Sequence, residues 1–430
     1  MTVRIDPPGD KSISHRLLLL AGLAAGTSRF RGLLDAEDVR VTAAAMRQLG
    51  ASIPEDWTGE VTIDGPVRWR APAAPIECGN SGTTARLLLG TLAGLGLPAV
   101  LRGDPSLTRR PMDRVVYPLQ AMGARIRYLE CYGRLPVELE ERRSGSLRSL
   151  KHRPRVASAQ VKSCLMLAAL TAGVGLDVLE PGRSRDHTER LFHAMGAPIV
   201  IREGPVADPW IHLEAGGVAG ELEPLGMTVP GDFSSAAFLL AAAWLGTGSV
   251  ELCGVGLNPT RTGLLDVARS MRARYEVETS GSEAGEPVGR VAASPSRLRG
   301  FDVDAGQLPG LIDEVPVLAV LAARAEGVSR LRGAAELRAK ESDRLSILAA
   351  NLRQLGVTCR EQPDGFDIEG TDQPLRGTVR TAGDHRITMA FGVLGSIPGC
   401  DVAVDDPDSV AVSYPDFWRD LSKLSGTATS

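Results

Sequence analysis

Aromatic residues make up only 4 % of this 430-residue chain. So few rings argue against a platform on which nucleic-acid bases stack. A dominant charge of either sign is also lacking. The net charge is −4, which speaks against a nucleic-acid-binding surface or a membrane-seeking face. Apolar runs such as 236–245 are too short to span a bilayer. Met1 to Asp6 carries no signal-peptide core, so a cytoplasmic protein is expected. The six cysteines (Cys78, Cys131, Cys164, Cys253, Cys359, Cys400) show no CxxC spacing and read as reduced, mostly buried thiols. The six histidines are dispersed, with no HExxH-like pattern. No metal is therefore expected. There is no P-loop, no GxGxxG after a strand and no Ser-His-Asp order, so neither a nucleotide cradle nor a serine or cysteine nucleophile is indicated.

Glycine is plentiful at 48 residues, and hydrophobic content is 43 %. Together they suit a globular chain with many tight turns and an aliphatic core, long enough for two or three domains. The informative stretch is Pro8-Gly9-Asp10-Lys11-Ser12-Ile13-Ser14-His15-Arg16, which runs into Leu17 to Ala21. Pro and Gly end a short strand over 3–5, and the apolar run reads as a buried helix with Ser12 as its N-cap. Arg16 falls one turn below Ser12 on the same face. A helix N-terminus with a Lys, a hydroxyl and an Arg suits a phosphate or carboxylate. By itself the stretch is equally a capped helix with solvated charges.

The same opening recurs about six times at a period of about 70 to 80 residues, longer than solenoid repeats. The later copies open at Gly79-Asn80-Ser81-Gly82, Ser158-Ala159-Gln160-Val161-Lys162, Gly231-Asp232-Phe233, Ile312-Asp313-Glu314 and Gly383-Asp384-His385-Arg386. Each reads as a small α/β subdomain. The units divide into an N-terminal lobe, 10–227, and a C-terminal lobe, 1–9 plus 228–430, with hinges near 8–11 and 226–231. Ser280 to Pro287 reads as a polar surface loop, and Gly426 to Ser430 as a frayed tail. If the repeats stack symmetrically, their first-helix N-termini converge on one cleft with Lys11, Arg16, Arg86, Lys162 and Arg386, a place for a polyanion.

Three further clusters carry chemistry. In Leu107-Thr108-Arg109-Arg110-Pro111, the proline keeps Arg110 extended, where it could grip an anion bidentately. In Arg338-Ala339-Lys340-Glu341-Ser342-Asp343-Arg344, Lys340 and Arg344 stand at i and i+4 and share a helical face, with Glu341 turned away around the helix. Asp313-Glu314 precedes a proline and an apolar run. Acids are stabilised at such a first turn, so the pair is either structural or a general base.

Taken together, Gly9 to Arg16, Gly79 to Thr83, Leu107 to Pro111, Ser158 to Ser163, Arg185-Asp186-His187-Thr188-Glu189, Lys340 to Arg344 and Asp384 to Arg386 resemble the motifs of the 5-enolpyruvylshikimate-3-phosphate synthase family. They occur in family order across nearly the whole chain. The Ser-Ala-Gln-Val-Lys and Arg-Asp-His-Thr-Glu variants resemble the bacterial subgroup distinct from the enteric one. The resemblance implies an α/β fold, a two-domain inside-out α/β barrel with three βαβαββ-type repeats per domain. It implies transfer of enolpyruvyl from phosphoenolpyruvate to the 5-hydroxyl of shikimate 3-phosphate, without a cofactor. Shikimate 3-phosphate would be held by Lys11, Ser12, Arg16, Ser158, Ala159, Gln160, Asp313 and Lys340. Phosphoenolpyruvate would be surrounded by Lys11, Gly82, Arg110, Gln160, Arg344 and Arg386. Asp313 would be the base at the 5-hydroxyl, and Glu341 with Lys11 would move the proton at phosphoenolpyruvate. The partners expected are these two small molecules alone, with no nucleic acid or membrane, acting on a monomer. Competition by the inhibitor glyphosate is also implied.

The chain departs from the family pattern in three places. Val412 stands where many members have a Lys, Glu336 where many have an Asn, and Ala159 where others have a Ser. Two other readings stay open. The sister transferase acting on UDP-N-acetylglucosamine usually carries Lys-Asn early and a Cys in the mobile loop; here Ser12 follows Lys11 and 105–111 has no Cys. A non-catalytic polyanion binder would need the cations but not Asp313 and Glu341.

Overall fold

A helix that is apolar on every side must be buried on every side. Among the described residues six helices, apolar along most of their length, are buried on nearly every side, and each begins at one of the recurring openings. The structure, a computed structural model, describes residues 2–143, 146–202, 209–216 and 220–426. Among these the helices are α1 (Lys11–Leu23), α2 (Glu37–Gln48), α3 (Gly82–Leu95), α4 (Pro105–Thr108), α5 (Asp113–Met122), α6 (Ala159–Ala172), α7 (His187–Ala194), α8 (Phe233–Trp244), α9 (Gly263–Ser270), α10 (Val315–Arg324), α11 (Arg344–Gln354), α12 (His385–Gly395) and α13 (Phe417–Ser425).

The chain divides into two units. One comprises Met1–Gly9, Pro230–Ser282 and Glu286–Ser430; the other comprises Asp10–Val229 and Glu283–Gly285. Each has its own hydrophobic core. That of the second unit is built around α1, α3 and α6, and that of the first around α8, α10 and α12. α3 and α6 lie very close. A Cβ at Gly90 would fall 2.2 Å from the Cys164 carbonyl oxygen, and one at Gly94 would fall 1.9 Å from Thr171 Oγ1. Only glycine lets these two backbones approach so closely.

Each unit holds three sheets among the described residues. Four of the six follow one plan: a parallel pair, then an antiparallel strand, then its hairpin partner. In one example Ile76–Glu77 runs parallel to Ala99–Arg102, which pairs antiparallel with Val137–Leu139 and through it with Ile126–Tyr128. Two sheets are shorter versions, Gly226–Thr228 with Gly26–Arg31 and Glu60–Gly65, and Arg376–Val379 with Asp401–Val404. The N-terminal strand Thr2–Ile5 pairs parallel with Ser249–Gly256, far along the chain. Gly9 bridges Gly231, so the two unit boundaries lie side by side.

Several local expectations are corrected. Asp10, not Ser12, caps α1, accepting from the Ile13 amide at 2.9 Å; Ser12 lies inside the helix. Ser280 to Pro287 is not a loop. It is the end of a hairpin between Arg274–Glu283 and Glu286–Ser294, turning at Ala284 with φ +49° and Gly285. The alternation in these strands is obscured because most residues of the first are exposed. Of the expected frayed tail, Gly426 is a left-handed helix cap and 427–430 lie outside the described residues. No helix among the described residues is long and apolar enough to cross a membrane.

Candidate functional site

In the unit holding Asp10–Val229, the expected ligand-binding residues lie at the starts of α1, α3 and α6, with Arg16 a turn further along α1 and Arg110 just after α4. Lys11 opens α1, and its Nζ lies 2.9 Å from Asp38 Oδ2 in the first turn of α2. Arg16 is buried and spans three helices. Its Nη1 donates to the Ser12 carbonyl (2.8 Å), its Nε to Thr188 Oγ1 (2.7 Å) and its Nη2 to Ser163 Oγ (2.8 Å). The Arg-Asp-His-Thr-Glu motif thus meets Arg16 through Thr188. His15 is fully buried between these cations. Burial, then Lys11, then Arg16 hold its imidazole well below the usual value of 6.5, so it stays neutral and its Nδ1 meets Thr42 Oγ1 at 2.7 Å.

On α3, Arg86 donates to Gln160 Oε1 of α6 (2.7 Å) and to the Pro111 carbonyl (2.8 Å). Gln160 in turn donates to Thr83 Oγ1 at 3.0 Å. Arg110 is buried and donates to Asn80 Oδ1 and to Ser106 Oγ, so the Gly79-Asn80 turn and the 105–111 segment are tied together. Gly82 sits beneath both arginines. A Cβ there would lie 2.6 Å from Arg86 Nη1 and 3.4 Å from Arg110 Nη1. Ser158 occupies the N-cap position of α6 without making a capping hydrogen bond, and Ala159 is the first helical residue.

Lys162 is a correction. It was expected to face a ligand, but it is 2 % exposed and its ammonium lies between Glu180 (2.7 Å) and Glu189 (2.6 Å). Burial pulls its pKa down, but Glu189 and Glu180 outweigh this and hold the ammonium above its usual range. Its charge is neutralised inside the fold. Glu180, which also accepts from Ser184 Oγ at 2.6 Å, carried no sequence signal.

In the other unit, Asp313 lies in a 3-10 turn, Ile312–Glu314, directly before α10. Its carboxylate lies among three cations: Arg344 Nη1 at 3.5 Å, Arg386 Nη2 at 3.7 Å and Lys340 Nζ at 3.8 Å. Arg386 Nη1 also donates to the Asp313 carbonyl at 3.3 Å. Arg344 is fully buried. It donates to Glu341 Oε2 (2.7 Å) and to Asp384 Oδ2 (2.8 Å). Burial would lower its pKa, but Asp384, then Glu341, then Asp313 outweigh that and raise it. Asp384 caps α12 through the Arg386 amide and accepts from Ser342 Oγ at 3.0 Å.

Lys340 and Arg344 do not stand one turn apart on a helix, contrary to the i, i+4 expectation. Lys340 ends a 3-10 turn, Ala335–Ala339, in extended backbone, and α11 starts only at Arg344, so the two share no helical face. Their side chains nevertheless both reach Asp313, and Glu341 points toward Arg344. Of the departing positions, Glu336 lies in that 3-10 turn and Val412 ends the 3-10 turn Asp408–Val412. No group of three or more potential metal ligands occurs among the described residues. Cys78 and Cys164 are buried, and burial pushes each thiol up to about 12, so neither supplies a thiolate near neutral pH. Cys131, by contrast, is exposed.

The model of the family described as EPSP synthase (3-phosphoshikimate 1-carboxyvinyltransferase) matches residues 1–421. The 3-phosphoshikimate 1-carboxyvinyltransferase of Thermus thermophilus is 48 % identical over 424 residues, covering 98 % of this chain and 96 % of that protein. Its counterpart from Caulobacter vibrioides is 44 % identical over 423 residues, covering 98 % and 95 %. The solved structure of EPSP synthase from Acinetobacter baumannii superposes with a TM-score of 0.82 at 36 % identity, covering 100 % of this chain and 97 % of that one.

Proposed function

The chain belongs to the EPSP synthase family, and on that premise we infer that it transfers the enolpyruvyl group of phosphoenolpyruvate to the 5-hydroxyl of shikimate 3-phosphate, releasing phosphate. The observation that carries the reading of the site is the Asp313 carboxylate lying within 3.5–3.8 Å of Lys340, Arg344 and Arg386, with Glu341 on the same Arg344. A polyanion binder has no use for two carboxylates among its cations. An acid–base enzyme acting on anions needs both.

The chemistry assigns the roles. The 5-hydroxyl oxygen bonds to C2 of phosphoenolpyruvate while its proton passes to a base and C3 gains a proton. The product is a tetrahedral intermediate. C3 then loses a proton, the C2–O bond to phosphate breaks, and phosphate leaves with a proton. Asp313 takes the hydroxyl proton. Glu341 and Lys11 act together on the proton at C3. Lys11, Ser12, Arg16, Ser158, Ala159, Gln160, Asp313 and Lys340 hold shikimate 3-phosphate. Lys11, Gly82, Arg110, Gln160, Arg344 and Arg386 surround phosphoenolpyruvate. Cations placed in advance stabilise the charge that builds up on both substrates.

For the fold, we propose the two-domain inside-out α/β barrel with six subdomains, lobes 10–227 and 1–9 plus 228–430, and hinge segments 8–11 and 226–231. Three sheets in each unit, each with a parallel pair, support it. Phosphate release measured with each acceptor tests the function. Release with shikimate 3-phosphate and none with UDP-N-acetylglucosamine is expected; the reverse would overturn the assignment. Asp313→Asn and Glu341→Gln should abolish turnover while binding of shikimate 3-phosphate, read by calorimetry, changes modestly. Turnover intact in both would favour the binder.

A further inference from the structure

The residue after Asp313 is a second carboxylate, and its surroundings are of a different kind. Glu314 is 1 % exposed and forms the N-cap position of α10. Its Oε1 accepts a hydrogen bond from Ser234 Oγ, in the first turn of α8. Ser234 Oγ accepts in turn from Arg261 Nη2 at 2.8 Å, and the same Nη2 lies 3.2 Å from Asp232 Oδ1. Asp232 caps α8, accepting from the amides of Ser234 (2.7 Å) and Ser235 (3.2 Å). Glu314, Ser234, Arg261 and Asp232 are all buried. Two carboxylates, one guanidinium and two helix N-termini thus form a buried polar cluster, where loss of one member leaves the others badly solvated.

We propose that Glu314 is a positioning residue for the proposed reaction: through Ser234 and Arg261 it anchors the 3-10 turn to α8 and so sets the place of the Asp313 carboxylate among its three cations. The proposal rests on the reading of Asp313 as the base. The geometry requires such an anchor. Lys340, Arg344 and Arg386 each attract the Asp313 carboxylate from a different element, the turn before α11, α11 itself and α12. Net pull on a one-turn segment shifts it unless its backbone is held from the other side. The Glu314 side chain, next along, ties the turn to α8, which carries none of the three cations. A base displaced by about 1 Å can lose about a hundredfold in rate.

The test compares Glu314→Ala, Glu314→Gln and Ser234→Ala with the parent enzyme. Glu314→Ala is expected to lower kcat by about a hundredfold while leaving the KM for phosphoenolpyruvate nearly unchanged. The acid limb of its kcat profile moves to higher pH, because Asp313 loses part of the stabilisation that its cations give its charged form. Glu314→Gln keeps an oxygen for Ser234 to donate to and retains most of the turnover. Glu314→Ala with parental kcat overturns the proposal, as does a lowered kcat whose acid limb has not moved. If Glu314→Ala does not fold, Ser234→Ala carries the same comparison, with a smaller loss and the same two overturning outcomes. Asp313→Asn retaining turnover would sink the base assignment itself, a result distinct from either failure above.

Discussion

The Lys11 ammonium lies 2.9 Å from the Asp38 carboxylate, and both side chains are mostly buried, 16 % and 13 % exposed. The lysine assigned to both substrates is therefore oriented by a carboxylate from the next helix. Asp38→Asn preserves the volume and removes the charge that holds the ammonium in place. A charge-assisted hydrogen bond contributes about 1.5–3 kcal/mol, so kcat/KM for phosphoenolpyruvate should fall about tenfold to a hundredfold. Steady-state kinetics checks this. An unchanged kcat/KM would mean Lys11 is placed by its own helix alone.

Gly82→Ala should act through Arg86. The added Cβ would lie 2.6 Å from Arg86 Nη1, which must move and weaken its bond to Gln160. The expected result is a raised KM for phosphoenolpyruvate and a larger loss of glyphosate inhibition than of turnover. Equal losses in the inhibition constant and kcat would refute it.

Lys162→Met should destabilise the protein strongly. It leaves Glu180 and Glu189 facing each other in the core without their cation. Breaking a buried pair costs about 3–5 kcal/mol, readable as a lowered urea midpoint. Glu189 offers a pH test of the same cluster. Burial, only partly offset by Lys162, raises its carboxyl above the usual 4.5. The folded state then holds this proton more tightly than the unfolded one, so its contribution is present below 4.5 and is lost as pH rises through the raised value. Glu189→Gln mimics the protonated form. Its stability relative to the parent should improve as pH rises above 4.5.

His15 gives the opposite slope. Its imidazole is held neutral, well below 6.5, by burial and by Lys11 and Arg16. The unfolded chain takes up a proton that the folded chain refuses. Stability from this group is complete above 6.5 and declines as pH falls toward the depressed value. The limiting slope is about 1.4 kcal/mol per pH unit for one proton. Denaturation at pH 7.5 and 5.5 should show a smaller pH difference in His15→Gln than in the parent. Equal differences would show that His15 does not set the acid limb.

The openings of the repeats were legible because they are local. A turn residue, a polar residue and an apolar run specify a buried helix, and α1, α3, α6, α8, α10 and α12 all start there, the four other than α6 and α10 with a side-chain cap. The residue types at those starts named the chemistry before any geometry was known. The path from Lys340 to Arg344 was misread because helical spacing was assumed across a segment whose backbone is extended at Lys340. Both side chains still reach Asp313, since long cationic side chains tolerate a wrong backbone.

What sequence alone determined, then, is the set of functional groups and the helices that carry them. Tertiary structure decided which charges are available to a ligand and which are consumed inside the protein. Lys162 and Lys11 look alike in sequence, each within the opening of a repeat. One is enclosed by Glu180 and Glu189, the latter 27 positions further on, and the other lies partly open beside Asp38. The difference is physical. Desolvation depends on what the fold stacks over a side chain, and the carboxylates that compensate it come from helices and strands whose approach no local pattern records.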